Sequence, residues 1–195
     1  MNKQNKIMKT GIGVVGLPGA GKTIVSEVAG EEQNIPTIVM GDVIRQMCVD
    51  QGWQINSENL GKCMIRIRKE EGMNAVAKRT LPKILEVDGN MIIIDGLRSY
   101  EEVEFFRRKL KRFIIIAIHA SPRTRFRRIQ KRRRYDDARN FKTFQERDFR
   151  EINAGIGKVI ALADIMFINE GRVRQLKRKI SRILHLIQNG KWGGK

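Results

Sequence analysis

Apolar and polar positions along the chain fall into two alternating patterns. Five short runs are almost continuously apolar and rich in β-branched residues: Ile12–Val15, Thr37–Met40, Met91–Ile94, Phe113–Ile118 and Ile165–Ile168. Runs of this kind suit strands covered on both faces, as in a parallel sheet. The segments between them carry helical spacing. In "VRQLKRKISRILHLI" the residues Val173, Leu176, Ile180, Ile183, Leu184 and Ile187 fall on one helix face and leave a basic outer face. Strands alternating with helices predict a doubly wound α/β fold, with helices on both faces of a five-stranded parallel sheet.

Two segments break the alternation. Residues 41–90, between the second and third strands, read as helix throughout, and residues 135–150 read as irregular. Both are candidate mobile covers over a site. There is no internal repeat, low-complexity tract or Pro/Gly/Ser-rich linker, and 195 residues suffice for one domain with its own core. The domain reads as a core of residues 9–40, 91–134 and 151–188, interrupted by the two covers. The closing "KWGGK" reads as a flexible tail, and Trp53 and Trp192 as isolated.

Charge narrows the partners. The 39 Lys and Arg against 21 Asp and Glu give a formal charge of +18, which favours nucleotides, nucleic acid or another acidic surface. No run reaches the roughly eighteen apolar residues of a spanning helix. The basic N-terminal decapeptide is followed by an apolar run too short and Gly-rich for a secretory signal. Cys48 and Cys63 lie outside any C-x-x-C pair, and with only two His a zinc site is not expected. The expected setting is a reduced cytoplasm with two ordinary thiols and no membrane contact. Oligomeric state is not legible.

The chemistry begins at "GLPGAGKT". Gly16, Leu17, Pro18, Gly19, Ala20, Gly21, Lys22 and Thr23 satisfy G-x-x-x-x-G-K-[ST] between a predicted strand and a predicted helix. Glycines at this spacing let successive backbone N–H groups converge on a phosphate at the positive end of the helix. Lys22 would reach the β- and γ-phosphates, and the Thr23 hydroxyl would ligate Mg²⁺. The motif specifies a nucleoside triphosphate without choosing ATP over GTP. Asp95 ends the third apolar run, at the carboxyl edge where open α/β sheets bind ligands, and is the second candidate Mg²⁺ ligand.

Two further stretches, "GDVIR" at 41–45 and "DGLRS" at 95–99, resemble the nucleoside monophosphate kinases. The first keeps the Gly-Asp-x-[Leu/Ile]-Arg spacing of adenylate kinases; the second is one residue short and lacks their proline. With "DGLRSYEEVEFF" and "GIGKVIALAD", the order of blocks is similar to a set of archaeal adenylate-kinase-related and dephospho-CoA-kinase-related proteins, from about Lys9 to about Gln188. The resemblance implies a sheet order of 2-3-1-4-5, a helical acceptor-binding insertion at 41–90 and a short lid at 135–150. It implies transfer of the ATP γ-phosphoryl group to a nucleotide-like acceptor. Asp42, Arg45 and Arg98 would meet the acceptor. Arg128 and Arg132 would meet the donor nucleotide, and the lid residue Arg147 the transferred phosphate, with Arg150 a looser candidate. "ADIMFINEG", 163–171, is similar to the turn that lies against the donor adenine in dephospho-CoA kinases.

One feature exceeds the needs of such a site. Residues 107–134 hold 13 Lys or Arg in 28 residues and no acid. This basic stripe reads as solvated surface, as a funnel for a polyanionic substrate, or as a site for RNA or DNA phosphates. The last would fit an alternative function, an RNA-associated ATPase of the same fold. His119, at the end of a strand, reads as structural.

Overall fold

A long first strand, β1 (Ile7–Val15), runs through the middle of the protein and delivers the chain to the glycine-rich loop. In the computed structural model, which describes residues 7–132 and 137–193, the chain continues through α1 (Thr23–Gln33), β2 (Thr37–Val39), α2 (Met40–Asp50), α3 (Ser57–Glu71) and α4 (Ala75–Glu86). It returns through β3 (Met91–Asp95), α5 (Tyr100–Lys109), β4 (Leu110–His119), α6 (Pro122–Arg132) and α7 (Phe141–Asn153), then α8 (Ile156–Ala161), β5 (Ile165–Ile168) and α9 (Val173–Gln188). The sheet order is β2-β3-β1-β4-β5 and every pairing is parallel. This is the expected α/β fold and strand order.

Strand alternation divides the core. Ile92, Ile94, Ile115 and Ala117 face a cluster built with α2, α3, α4, α5 and α8. Met91, Ile93, Ile114 and Ile116 face a second cluster built with α1 and α9. Each such isoleucine contributes roughly 1.5–3 kcal/mol by leaving water. In β1, glycine makes room: a Cβ on Gly13 would stand 2.7 Å from the Phe113 ring.

The structure also departs from the sequence reading. β5 was expected to be covered on both faces, yet it is an edge strand, with Met166 47% and Ile168 60% exposed. Residues 141–153 form a regular helix where an irregular stretch is expected; the Asn140 side chain caps it by accepting from Thr143 N at 2.9 Å. Met40 opens α2 instead of closing β2. Trp192 is not isolated: it packs on the second cluster, and the Arg112 guanidinium lies 4.8 Å from its ring centre. Trp53 packs on the first. Cys48 and Cys63 are free and buried in contact between α2 and α3, and burial pushes the Cys48 thiol up to about 11.

The basic stripe does not form one surface. Its first part lies at the α5–β4 turn and its last on α6, at opposite ends of a ten-residue strand, about 33 Å long at strand rise. Arg133, Arg134 and the Tyr135 start of the expected lid lie outside the described residues, as do residues 1–6 and Gly194–Lys195 of the expected tail. No helix among the described residues is long and apolar enough to cross a membrane.

Candidate active site

The parallel sheet brings the carboxyl ends of β1, β3 and β4 to one edge, and the chemistry-bearing residues gather there. Val14 of β1 pairs with Asp95 of β3, so Asp95 stands beside the point where the glycine-rich loop departs. The loop turns through Gly19 and Gly21, both at positive φ, into α1. No side chain caps α1, so its positive end is left for a ligand anion. At Gly21 any side chain would also run into the Asn169 amide.

Lys22 donates from Nζ to the Gly16 carbonyl at 2.8 Å, so the loop holds its own ammonium in place. Burial pulls the Lys22 pKa down to about 8; Asp95 opposes the shift, while Arg98, Arg132 and Arg147 add to it. Burial likewise pulls Arg98 down to about 10, with Arg147 and Arg68 adding to the effect and Glu102 and Asp95 opposing it. Lys22 and Arg98 thus flank the Asp95 carboxylate at the end of the loop, and the charges of Arg132 and Arg147 also act on Lys22. Positive charge clustered in this way suits a polyanion.

Asp95 carries the opposite imbalance. Burial raises its pKa despite Lys22 and Arg98, and its Oδ1 is buried with no hydrogen-bond partner. An orphaned carboxylate oxygen fits a missing cation. Among the described residues no group of three or more His, Cys, Asp or Glu could hold a metal. A divalent ion here would therefore take Asp95 and Thr23 and complete its shell from phosphate and water, the habit of Mg²⁺.

The other expected site residues divide. Arg98 forms an ion pair with Glu151 of α7, and its backbone N–H donates to Glu102 Oε2 at 2.7 Å. Arg132 bonds Asp137 at 2.7 Å. Arg128 lies against the loop: it donates to Asn169 O at 2.8 Å and reaches Ala20 O at 3.4 Å. Asp42 and Arg45 are exposed on α2 and paired with each other.

Several residues that complete the site were not singled out by sequence. Asn169, 2% exposed at the end of β5, donates from Nδ2 to Ala20 O at 2.8 Å and ties the fifth strand to the loop. Its signal is the one that found Asp95, a polar residue ending an apolar strand. Arg125 of α6 is buried and bidentate to Asp148 of α7 at 2.8 and 2.6 Å, reaches Pro18 O at 3.3 Å and lies 4.9 Å from the Phe144 ring centre. Glu170 takes the Ser121 backbone N–H and the Thr124 hydroxyl at the start of α6, which holds its pKa down at about 2. Glu102 closes a capping box with Ser99 and also bonds Arg68 of α3 at 3.2 Å, joining the insertion to the loop that carries Arg98.

A parallel 2-3-1-4-5 sheet with this loop after its first strand, and a carboxylate ending the strand beside it, defines a P-loop protein of the kinase-like kind. The sequence matches the family model described as an AAA domain over residues 15–145. It is 41% identical over 171 residues to a UPF0200 protein of Hyperthermus butylicus, covering 88% of this chain and 91% of the relative. A UPF0200 protein of Methanocaldococcus jannaschii is 42% identical over 180 residues, 91% of this chain and 90% of that one. The chain belongs to this P-loop family. The match supports neither an adenylate kinase nor a dephospho-CoA kinase in particular. Among solved structures, the shikimate kinase of Bacteroides thetaiotaomicron aligns with a TM-score of 0.61 at 17% identity, over 92% of this chain and 98% of its own. A gluconokinase of Sinorhizobium meliloti aligns at 0.56 and 14%, over 95% and 97%. At such identities the likeness is one of fold.

Proposed function

We propose that the protein transfers the γ-phosphoryl group of Mg-ATP to a nucleotide-like acceptor, either a nucleoside monophosphate or dephospho-CoA, in the cytoplasm. The observation that carries this reading is the placement of Lys22 and Arg98 beside Asp95 at the loop end, with Arg132 and Arg147 adding positive charge around Lys22. A loop that only bound ATP would need Lys22 and the backbone. The added arginines suit a second phosphate-bearing molecule.

In this reading the backbone of residues 16–23 holds the donor's phosphates, and Lys22 exchanges the Gly16 carbonyl for the β- and γ-phosphate oxygens. Arg98 would hold the acceptor's phosphate, Arg147 would meet the group in transfer, and Arg132 would meet the donor nucleotide. Most of the catalysis is electrostatic and positional. Thr23 and Asp95 would hold Mg²⁺, which would neutralise phosphate charge. Arg128 and the turn after Asn169 would meet the donor base. The acceptor enters beneath residues 41–90, where Asp42 and Arg45 would meet it. The segment around α7, which already holds Arg147 within range of Lys22 and is tied to α6 through Asp148, would serve as the lid and exclude water.

The test is a screen of ADP formation from Mg-ATP against nucleoside monophosphates and dephospho-CoA. The proposal expects one acceptor to raise turnover well above the rate with ATP alone. Turnover that no acceptor changes would overturn it.

A further inference from the structure

Helix α6 has two basic faces with different fates. Arg125 and Arg128 turn toward the glycine-rich loop, and Arg125, Arg128 and Arg132 are committed to Asp148, Asn169 and Asp137. Arg123, Arg127 and Lys131 lie on the outer face, exposed, and no carboxylate among the described residues pairs with them. The outer face borders a cavity of about 460 Å³ lined by Arg123, Phe126, Arg127 and Gln130 of α6 and by Phe141 of α7.

The wall of that cavity is aromatic and held in place. Phe141 is 41% exposed, yet its ring stacks on the fully buried Phe144 at 5.6 Å, and Phe126 packs against both at 5.3 and 5.4 Å. Phe144 in turn lies under the Arg125 guanidinium. The exposed ring is thus backed by a second ring, a cation and the Asp148 pair. A ring fixed in this way loses little freedom when something stacks on it.

We propose that this outer face of α6 with Phe141 binds single-stranded nucleic acid, one base against Phe141 and the adjoining phosphates on Arg123 and Arg127. The aromatic wall has no use for a bare phosphate, and two uncommitted guanidinium groups at the rim disfavour a neutral ligand. In a duplex the bases already stack on one another, so a flat face is open to the ring only in a single strand. Gln130 offers a donor and an acceptor beside the ring for a base edge. The cavity is of a size for one nucleobase with its sugar. The site lies on the face of α6 turned away from the glycine-rich loop, so it stands or falls separately from the phosphotransferase reading.

The test is fluorescence anisotropy of a short labelled RNA, the DNA of the same sequence and the matching duplex, titrated with the full chain at about 50 to 200 mM salt. Single strands should bind more tightly than the duplex. An excess for RNA over DNA assigns a 2′-hydroxyl contact, and equality assigns stacking and phosphate alone; both are binding as proposed. Phe141→Leu keeps an apolar side chain but removes the π-face, and should weaken single-strand binding about five- to a hundredfold without changing its salt dependence. Arg123→Gln with Arg127→Gln should flatten the slope of log K against log salt by about 1.4. Melting temperatures equal to that of the parent chain establish that the variants are folded. Preference for the duplex, binding indifferent to Phe141→Leu, or no salt-dependent binding would overturn the proposal.

Discussion

Arg98 shows how much a single residue here is asked to do. Its backbone N–H is fixed by Glu102, its guanidinium is paired with Glu151, and both burial and Arg147 act against its charge. A phosphate dianion in place of the Glu151 carboxylate would relieve that strain, since two negative charges meet the guanidinium instead of one. Removing Arg98 should then cost acceptor use more than donor binding. For Arg98→Ala we expect kcat/KM for the acceptor to fall about ten- to a hundredfold, the loss of a charge-assisted bond of about 1.5–3 kcal/mol. ATP affinity should change little. Steady-state kinetics with a parallel ATP titration checks this, and equal damage to both would speak against an acceptor role.

At the scale of elements, the glycine-rich loop is braced from two sides. Arg125 joins α6 to the loop through Pro18 and to α7 through Asp148. Its side chain is only 4% exposed, so Arg125→Ala would leave the Asp148 carboxylate half-buried without its partner. Breaking a buried pair in this way costs about 3–5 kcal/mol, to be read from the midpoint of urea unfolding. Glu170 secures the other side by holding the start of α6 from the β5–α9 turn. Its pKa lies at about 2 in the folded chain, below an ordinary 4.5. A depressed carboxylate stabilises the fold above its unfolded value and loses that contribution as the pH falls through its folded one. Glu170→Gln should therefore lower the melting temperature at neutral pH, and the gap from the parent should close between about pH 4.5 and 2. A gap that persists unchanged at the acid end would mean that the charge is not what matters. Neither brace was legible in the sequence. Arg125 is one of many arginines in a run, and only the packing of α7 chooses it over its neighbours.

Over the whole molecule, legibility followed the range of the interaction. Residues 16–23 and Asp95 could be read because their positions depend on local geometry, a loop after one strand and the end of another. The five strands could be read because a central parallel strand excludes polar residues along its length. β5 gave the same signal although one face is open, since Met166 and Ile168 are apolar and exposed. Helix α7 was missed because "FKTFQERDFREIN" buries only Phe144, too little to show a period, although Asn140 before it is a readable cap. Pairs such as Arg98–Glu151 and Arg68–Glu102 span distances along the chain that no spacing reveals. What unites the loop, the strand ends and the arginines is one claim, that they form a cradle for a nucleotide's polyphosphate. Calorimetric titration of Mg-ATP into the parent chain and into Lys22→Ala tests it most directly. The parent should saturate, and the variant should bind about ten- to a hundredfold more weakly. The variant should stay folded, because the Lys22 side chain bonds its own loop at the Gly16 carbonyl rather than the core, and its melting temperature checks this. A Lys22→Ala protein that binds Mg-ATP as tightly as the parent, or a parent that does not bind it, would contradict the account.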